Sequence, residues 1–126
     1  ITPHLVRGFQ NDTVIIDRKY REKHRISVDR ENFDWVAEGM EQVVLAGTAR
    51  SAQIPVIAVC GTTGTAQNPH GEDHSVFFAF APKDNPKIAI SVFVENSGQG
   101  GRAAAGIAGL IMEKYLRHYL EFARYQ

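Results

Sequence analysis

Three features of this 126-residue chain predict a mixed α/β (α+β) fold, an antiparallel sheet flanked by helices. Apolar residues recur at helical spacing through Phe33, Val36, Ala37, Met40, Val43 and Val44. Two β-rich runs, His74 to Ala81 and Lys87 to Val94, are joined by Pro82-Lys83-Asp84-Asn85-Pro86, turn chemistry that pairs them antiparallel. A second helical pattern then runs from Ala103 to Phe122.

Taken in order, Thr2 to Asp17 reads as two short extended segments around a turn at Gln10-Asn11-Asp12. Arg18 to Arg25, "RKYREKHR", is a dense charge run and hence a solvated connection. Asp29 precedes the first helix, and Gly47 is expected to end it in the left-handed conformation that follows a last helical turn. Val56 to Val59 supplies a third β-rich run. Ser97 to Gly101 is a glycine-rich break. The helix after it is small-residued at its start, with Ala103, Ala104, Ala105, Gly106 and Gly109 allowing a close approach to the sheet. Later it is amphipathic, with Ile107, Leu110, Ile111, Lys114 and Tyr115 tracing the spacing. No internal repeat or low-complexity segment interrupts this order, helix, three strands, helix. Residues 1–126 are expected to form a single domain, long enough for one core and too short for two.

Composition narrows the function classes. Fourteen basic residues balance fourteen acidic ones, and 44% of the chain is hydrophobic. That balance argues against an extended nucleic-acid surface and against a polybasic membrane patch. No apolar run reaches membrane-spanning length and no signal peptide is recognisable, so the chain itself is expected to be soluble. It begins with Ile1 rather than Met, the mark of a processed product or a fragment, which leaves room upstream for an anchor or further domains. Cys60 is the single cysteine, so an internal disulfide is impossible.

Several motifs have plain structural readings. Gly98-x-Gly100-x-x-Ala103 loosely matches a dinucleotide fingerprint, and a helix N-terminus attracts phosphate. The strand before it closes a hairpin rather than opening a βαβ unit, however, so the expected role is a tight strand-to-helix turn without a cofactor. His70, Glu72, Asp73 and His74 crowd together like metal ligands, but no further Cys or His recurs at ligand spacing. They are expected to be loop chemistry, with one His or the Asp orienting the turn and no metal bound. His4, His24 and His118 are isolated, and Tyr115, Tyr119, Phe122 and Tyr125 are expected to pack.

Gly61-Thr62-Thr63-Gly64-Thr65-Ala66 is different. These small and hydroxylated residues pack poorly, yet they lie between two apolar runs. On a strand, Thr63 and Thr65 point one way and Thr62 the other. Gly64 lacks a Cβ, so a ligand backbone can approach closely there. Two hydroxyls on one side of a glycine-opened strand make a neutral clamp for a carboxylate, and the amide and carbonyl of Thr65 suit strand addition by an extended peptide. The competing reading is an exposed, threonine-rich edge strand.

The combination "GTTGTAQ", "DHSVFFAFAP", "PKIAISVFVENSGQGGRAAAGIAG", "GMEQVVLAGTAR" and the opening "ITPHLV" resembles the C-terminal portion of the transpeptidase domain of class B penicillin-binding proteins, the elongation-type (penicillin-binding protein 2) branch foremost. The resemblance covers nearly the whole chain. It implies the penicillin-binding protein/serine β-lactamase-like fold, and a parent enzyme that crosslinks peptidoglycan stem peptides through a serine acyl-enzyme and is acylated by β-lactams. That parent would be anchored in the cytoplasmic membrane with this domain in the periplasm. The partners implied are the stem peptide, β-lactams and the remainder of the domain. A homodimer is also expected, because a piece of the sheet exposes an apolar edge.

The family carries three signatures, S-x-x-K, S-x-N and K-T-G. Only the third has a counterpart here, in altered form, with the lysine position at Thr62, the threonine at Thr63 and the glycine at Gly64. Ser27, Ser51, Ser75, Ser91 and Ser97 are followed three residues later by Arg30, Ile54, Phe78, Val94 and Gly100, and none has Asn two residues on. The chain therefore lacks the serine nucleophile and its base, and is expected to be inactive alone. By the resemblance, Thr62, Thr63, Gly64 and Thr65 bind substrate, and the Thr65 amide forms half of the oxyanion hole. Lysine at position 62 would supply a fixed positive charge, where threonine offers a neutral hydroxyl. Losing one charge-assisted hydrogen bond costs about 1.5–3 kcal/mol. Thr62 and the missing nucleophile also fit a non-catalytic binding or assembly module that reuses the fold. A serine β-lactamase piece shares the third signature but matches "VENSGQGG" and "FFAFAP" less closely.

Overall fold

The computed structural model describes residue 6 and residues 8–11, 14–17, 26–98 and 101–123. Strands β1 (Gly8–Asn11) and β2 (Val14–Asp17) form an antiparallel pair. Gln10 and Asn11, expected in the turn, are strand residues opposite Ile15 and Val14. Asp12 lies outside the described residues, as does the charge run Arg18 to Arg25.

Helix α1 spans Arg30–Leu45. Asp29 stands at its N-cap in extended conformation, and its carbonyl accepts the Asn32 N–H at 3.1 Å, while its side chain makes no capping bond. The predicted periodicity gives the helix, but only its second half packs. Val44 is buried and Ala37, Met40 and Val43 are partly so, whereas Phe33 and Val36 are exposed. The helix stops without the expected left-handed glycine. Ala46 and Gly47 both donate to the Gln42 carbonyl, and Ala49 donates to Val43. Gly47 is needed for proximity instead, because a Cβ there would lie 2.8 Å from the Cα and carbonyl oxygen of Val43.

A short 3-10 turn, Arg50–Ala52, leads to a second correction. Val56 to Val59 is not a strand. Ile57 donates back to the Ile54 carbonyl at 3.2 Å, which puts Pro55 and Val56 at the centre of a tight turn. Val56 is fully exposed with φ 63°, an uncommon conformation for a β-branched residue. The strand starts later, as β3 (Cys60–Ala66), and contains the whole glycine-threonine string. Strands β4 (His74–Ala81) and β5 (Ile88–Val94) follow as expected, and the sheet order is β3-β4-β5, antiparallel throughout.

Cross-strand pairing sorts the two faces. Ser75, Phe77, Ala79 and Ala81 share one face with Val94, Val92, Ile90 and Ile88. Helix α2 (Arg102–Ala123) covers it, with the Ala104 N–H donating to the Ser75 hydroxyl at 3.3 Å. The buried stripe of α2 is Ala104, Ala105, Ala108, Met112 and Leu116. Ala104, Ala105 and Gly109 thus lie against the sheet side as expected, while Ile107, Leu110, Ile111 and Tyr115, which trace the later spacing, are exposed. Small residues decide this, because they let the helix axis come close. A Cβ at Gly109 would stand 2.9 Å from the Cα of Ala52. The opposite face of the sheet carries Val76, Phe78, Phe93 and Thr62, with Phe78 and Phe93 about half exposed. Among the described residues, no helix is long and apolar enough to cross a membrane. The architecture is the mixed α/β arrangement the sequence predicts.

Candidate functional site: the glycine-threonine edge strand

β3 is an edge of the three-stranded sheet, so the string Thr62 to Thr65 lies along a border of the molecule rather than in its interior. Two of its neighbours explain why the strand can be so poor in packing atoms. At Gly61, a Cβ would sit 2.7 Å from Cε2 of Phe77, the largest fully buried side chain among the described residues, so glycine lets that ring come close to the strand. At Gly64, a Cβ would meet only Val76 at 3.5 Å, an ordinary contact. Internal packing therefore does not demand glycine at position 64. What its absence of a Cβ leaves open is approach from outside.

The threonines divide as alternation requires. Thr62 pairs with Phe78 and is exposed; Thr63 pairs with Phe77 and is half-buried; Thr65 pairs with Ser75 and is exposed. The Thr63 hydroxyl lies 2.8 Å from that of Thr48, which follows α1. Its methyl faces Gly101, where a Cβ would come within 2.6 Å of Thr63 Cγ2. Thr48 and Gly101 are thus site neighbours that the residue-by-residue reading missed. The signal for the first is a Gly-Thr pair directly after a helix, and for the second a glycine at φ 65° opening one.

The loops beside the strand are tied together by polar side chains, as the crowding of His70 to His74 suggests. Asp73 Oδ1 accepts the Asn68 N–H at 3.1 Å, and Asn68 donates through Nδ2 to Asn96 at 2.7 Å. His74 Nδ1 accepts the Asn96 N–H at 3.0 Å, and its ring lies 5.2 Å from that of Phe93. The Asp73 carbonyl accepts the N–H groups of Ser97 and Gly98. This network joins the β3–β4 loop to the turn before α2, so Asp73 and His74 do orient the turns. Among the described residues, no three His, Cys, Asp or Glu side chains stand close enough together to hold a metal. In the glycine break, Gly98 stands at φ 78° and Gly101, just before α2, at φ 65°, while residues 99 and 100 lie outside the described residues.

Other singled-out residues lie apart. His118 is exposed on α2, and Tyr115 is half-exposed rather than packed. His4, His24 and Tyr125, and the side chains of Tyr119 and Phe122, fall outside the described residues. Cys60 is buried with Sγ directed at the Ala37 carbonyl, 3.4 Å away, and burial pushes its thiol up, the opposite of an activated nucleophile. Behind the strand, Lys83 bridges Glu38 and Glu41 of α1 at 2.5 and 2.6 Å.

Residues 1–113 match the model of the penicillin binding protein transpeptidase domain. The chain belongs to this family. The peptidoglycan D,D-transpeptidase MrdA of Acinetobacter baumannii is 32% identical over 121 residues, covering 82% of this chain and 18% of that protein. Its namesake in Haemophilus influenzae is 39% identical over 100 residues, 65% of this chain and 15% of the relative. Among solved structures, PBP2 of Pseudomonas aeruginosa in complex with WCK 5153 is 38% identical with a TM-score of 0.62, over 85% of this chain and 23% of that one. The imipenem acyl-enzyme complex of penicillin-binding protein A from M. tuberculosis is 28% identical with a TM-score of 0.65, over 90% of this chain and 26% of the other. The chain thus spans under a fifth of the length of these curated relatives. Its sheet and helices are a portion of the transpeptidase fold.

Proposed function

We propose that this chain is the substrate-binding wall of a peptidoglycan D,D-transpeptidase, which crosslinks cell-wall stem peptides during elongation and reacts with β-lactams. The observation that carries the proposal is the hydroxyl-bearing strand Thr62 to Thr65 at a sheet edge in a chain of this family. In this reading Thr63 and Thr65 hold the carboxylate of a stem peptide or β-lactam. Gly64 admits its backbone, and the Thr65 amide contributes to the oxyanion hole. The nucleophilic serine and its lysine come from the remainder of the domain, since no serine here is followed by lysine three residues on. The whole protein is anchored in the cytoplasmic membrane and faces the periplasm.

Fluorescent penicillin with denaturing electrophoresis tests this. The 126-residue chain should carry no label, because an acyl bond needs a serine activated by a neighbouring base. The full-length protein should be labelled at a serine outside it. Label on the isolated chain overturns the proposal. One observation favours a second reading, a non-catalytic binding module, namely Thr62 in place of the signature lysine. A full-length protein that binds stem peptide but takes no label would select it.

A further inference from the structure

We propose that Thr48 is a positioning residue for carboxylate recognition, setting the Thr63 hydroxyl so that its hydrogen is presented to the bound anion. The inference rests on the reading of β3 as a carboxylate-binding strand and adds to it a residue from outside the strand.

The Thr63 side chain is held from two directions. Its methyl abuts the backbone at Gly101, where even one added carbon would lie 2.6 Å away. Its hydroxyl is 2.8 Å from the Thr48 hydroxyl, the usual length for an O–H···O bond. Because methyl and hydroxyl share one Cβ, these two contacts fix a single χ1 rotamer. Thr48 is itself exposed, so burial of apolar surface does not account for its placement. Its position is nonetheless rigid. The amides on either side, of Gly47 and Ala49, donate to the Gln42 and Val43 carbonyls. The next two carbonyls of α1, Val44 and Leu45, accept from the Gln53 side chain at 2.9 and 2.8 Å. The end of the helix that leads into Thr48 is thus anchored.

Hydrogen-bond arithmetic supplies the role. A hydroxyl has one hydrogen and two lone pairs, whereas a carboxylate only accepts. Within the Thr48–Thr63 pair either oxygen can donate. An anion at Thr63 takes the Thr63 hydrogen, so Thr48 must then be the donor to Thr63. The result is a directional chain, Thr48 to Thr63 to carboxylate, in which each bond polarises the next. With a neutral hydroxyl at Thr62 instead of a cation, this orientation carries more of the discrimination between a carboxylate and a neutral terminus.

The test titrates full-length protein with acetyl-D-alanyl-D-alanine and with its C-terminal amide, for the native sequence, Thr48→Val and Thr48→Ser. The native protein should prefer the carboxylate. Thr48→Val should lower that preference about fivefold, the size of one neutral hydrogen bond, with a smaller loss for the amide, whose uncharged carbonyl accepts more weakly. Thr48→Ser should restore it. A native protein without preference, or a valine variant that keeps the preference or weakens both ligands alike, overturns the inference. Penicillin labelling of the same samples separates the two ideas. Labelled protein with a preference indifferent to Thr48 sinks only this inference. Unlabelled protein whose preference depends on Thr48 sustains it while the transpeptidase reading falls.

Discussion

Two glycines three residues apart on β3 should respond oppositely to the same substitution. In Gly61→Ala the new Cβ would lie 2.7 Å from Phe77 Cε2, closer still to Cζ, and 3.2 Å from the Phe78 carbonyl. Relaxed carbon contacts are about 3.5–4.0 Å, so the ring must retreat by roughly 1 Å. Phe77 has no exposed surface and the interior around it is close-packed, so the strain spreads into β3 or forces the ring off its rotamer. Overpacking of this kind costs about 1–3 kcal/mol. In Gly64→Ala the Cβ meets only Val76, at 3.5 Å, and the backbone is not left-handed. Stiffening the unfolded chain should then stabilise by about 0.4–1 kcal/mol. Urea unfolding reads the difference. With a slope of about 1–3 kcal/mol/M, a loss of about 2 kcal/mol lowers the Gly61→Ala midpoint by roughly 1 M. The Gly64→Ala midpoint should stay level or rise, while ligand binding at the strand weakens. Adding Phe77→Leu to Gly61→Ala should recover part of the loss, since the two sites share one clash. Equal midpoints for the two single variants would refute the assignment of Gly61 to packing and Gly64 to access.

In the full-length protein, Thr62→Lys should raise the rate of acylation by penicillin at least about tenfold, about 1.4 kcal/mol, and equal rates would remove position 62 from the chemistry. The Lys83 hydrogen bond and charge lower the Glu38 carboxyl, and Glu38, then Glu41, raise Lys83. The Glu38 contribution to stability is therefore present above its unfolded value near 4.5 and lost as pH falls through the folded value, while that of Lys83 is present below 10.5 and lost as pH rises beyond. Thermal melts of Lys83→Met should lack the part of the acid-side decline that the native protein owes to this pair. The edge of β5 and the outward Ile107, Leu110 and Ile111 of α2 should drive self-association of the isolated chain, and a clean monomer by sedimentation at micromolar concentration would exclude it.

Most of the fold is legible in the sequence where a local rule and the tertiary packing agree. β4 and β5 combine β-rich runs with a proline-bounded turn, and both stand where they are expected. The rules fail where the same local signal serves two geometries. Val56 to Val59 is β-rich, but Pro55 has no N–H for a ladder, and the chain turns there before β3 begins at Cys60. Helical periodicity locates α2, yet it cannot say which stripe is inward. The alanine stripe is the inward one, and its small residues let the helix come so close that a Cβ at Gly109 would meet the backbone of Ala52.

The site was visible for the opposite reason, as a stretch whose composition contradicts its setting. Small, hydroxylated residues between two apolar runs are poor core material, so an edge position and an outside partner are what make sense of them. The support behind them was not visible, since Thr48 lies fifteen residues from Thr63 and touches it only through the fold. That support also separates two parts of the chemistry. Thr63 is held by Thr48 and Gly101 on its own face, whereas Thr62 pairs with Phe78 on the other. A change at position 62 therefore alters charge without disturbing the hydroxyl held at 63. The strand can lose the signature cation and still keep the shape proposed to receive a carboxylate, and for that reason acylation and anion binding are to be measured apart.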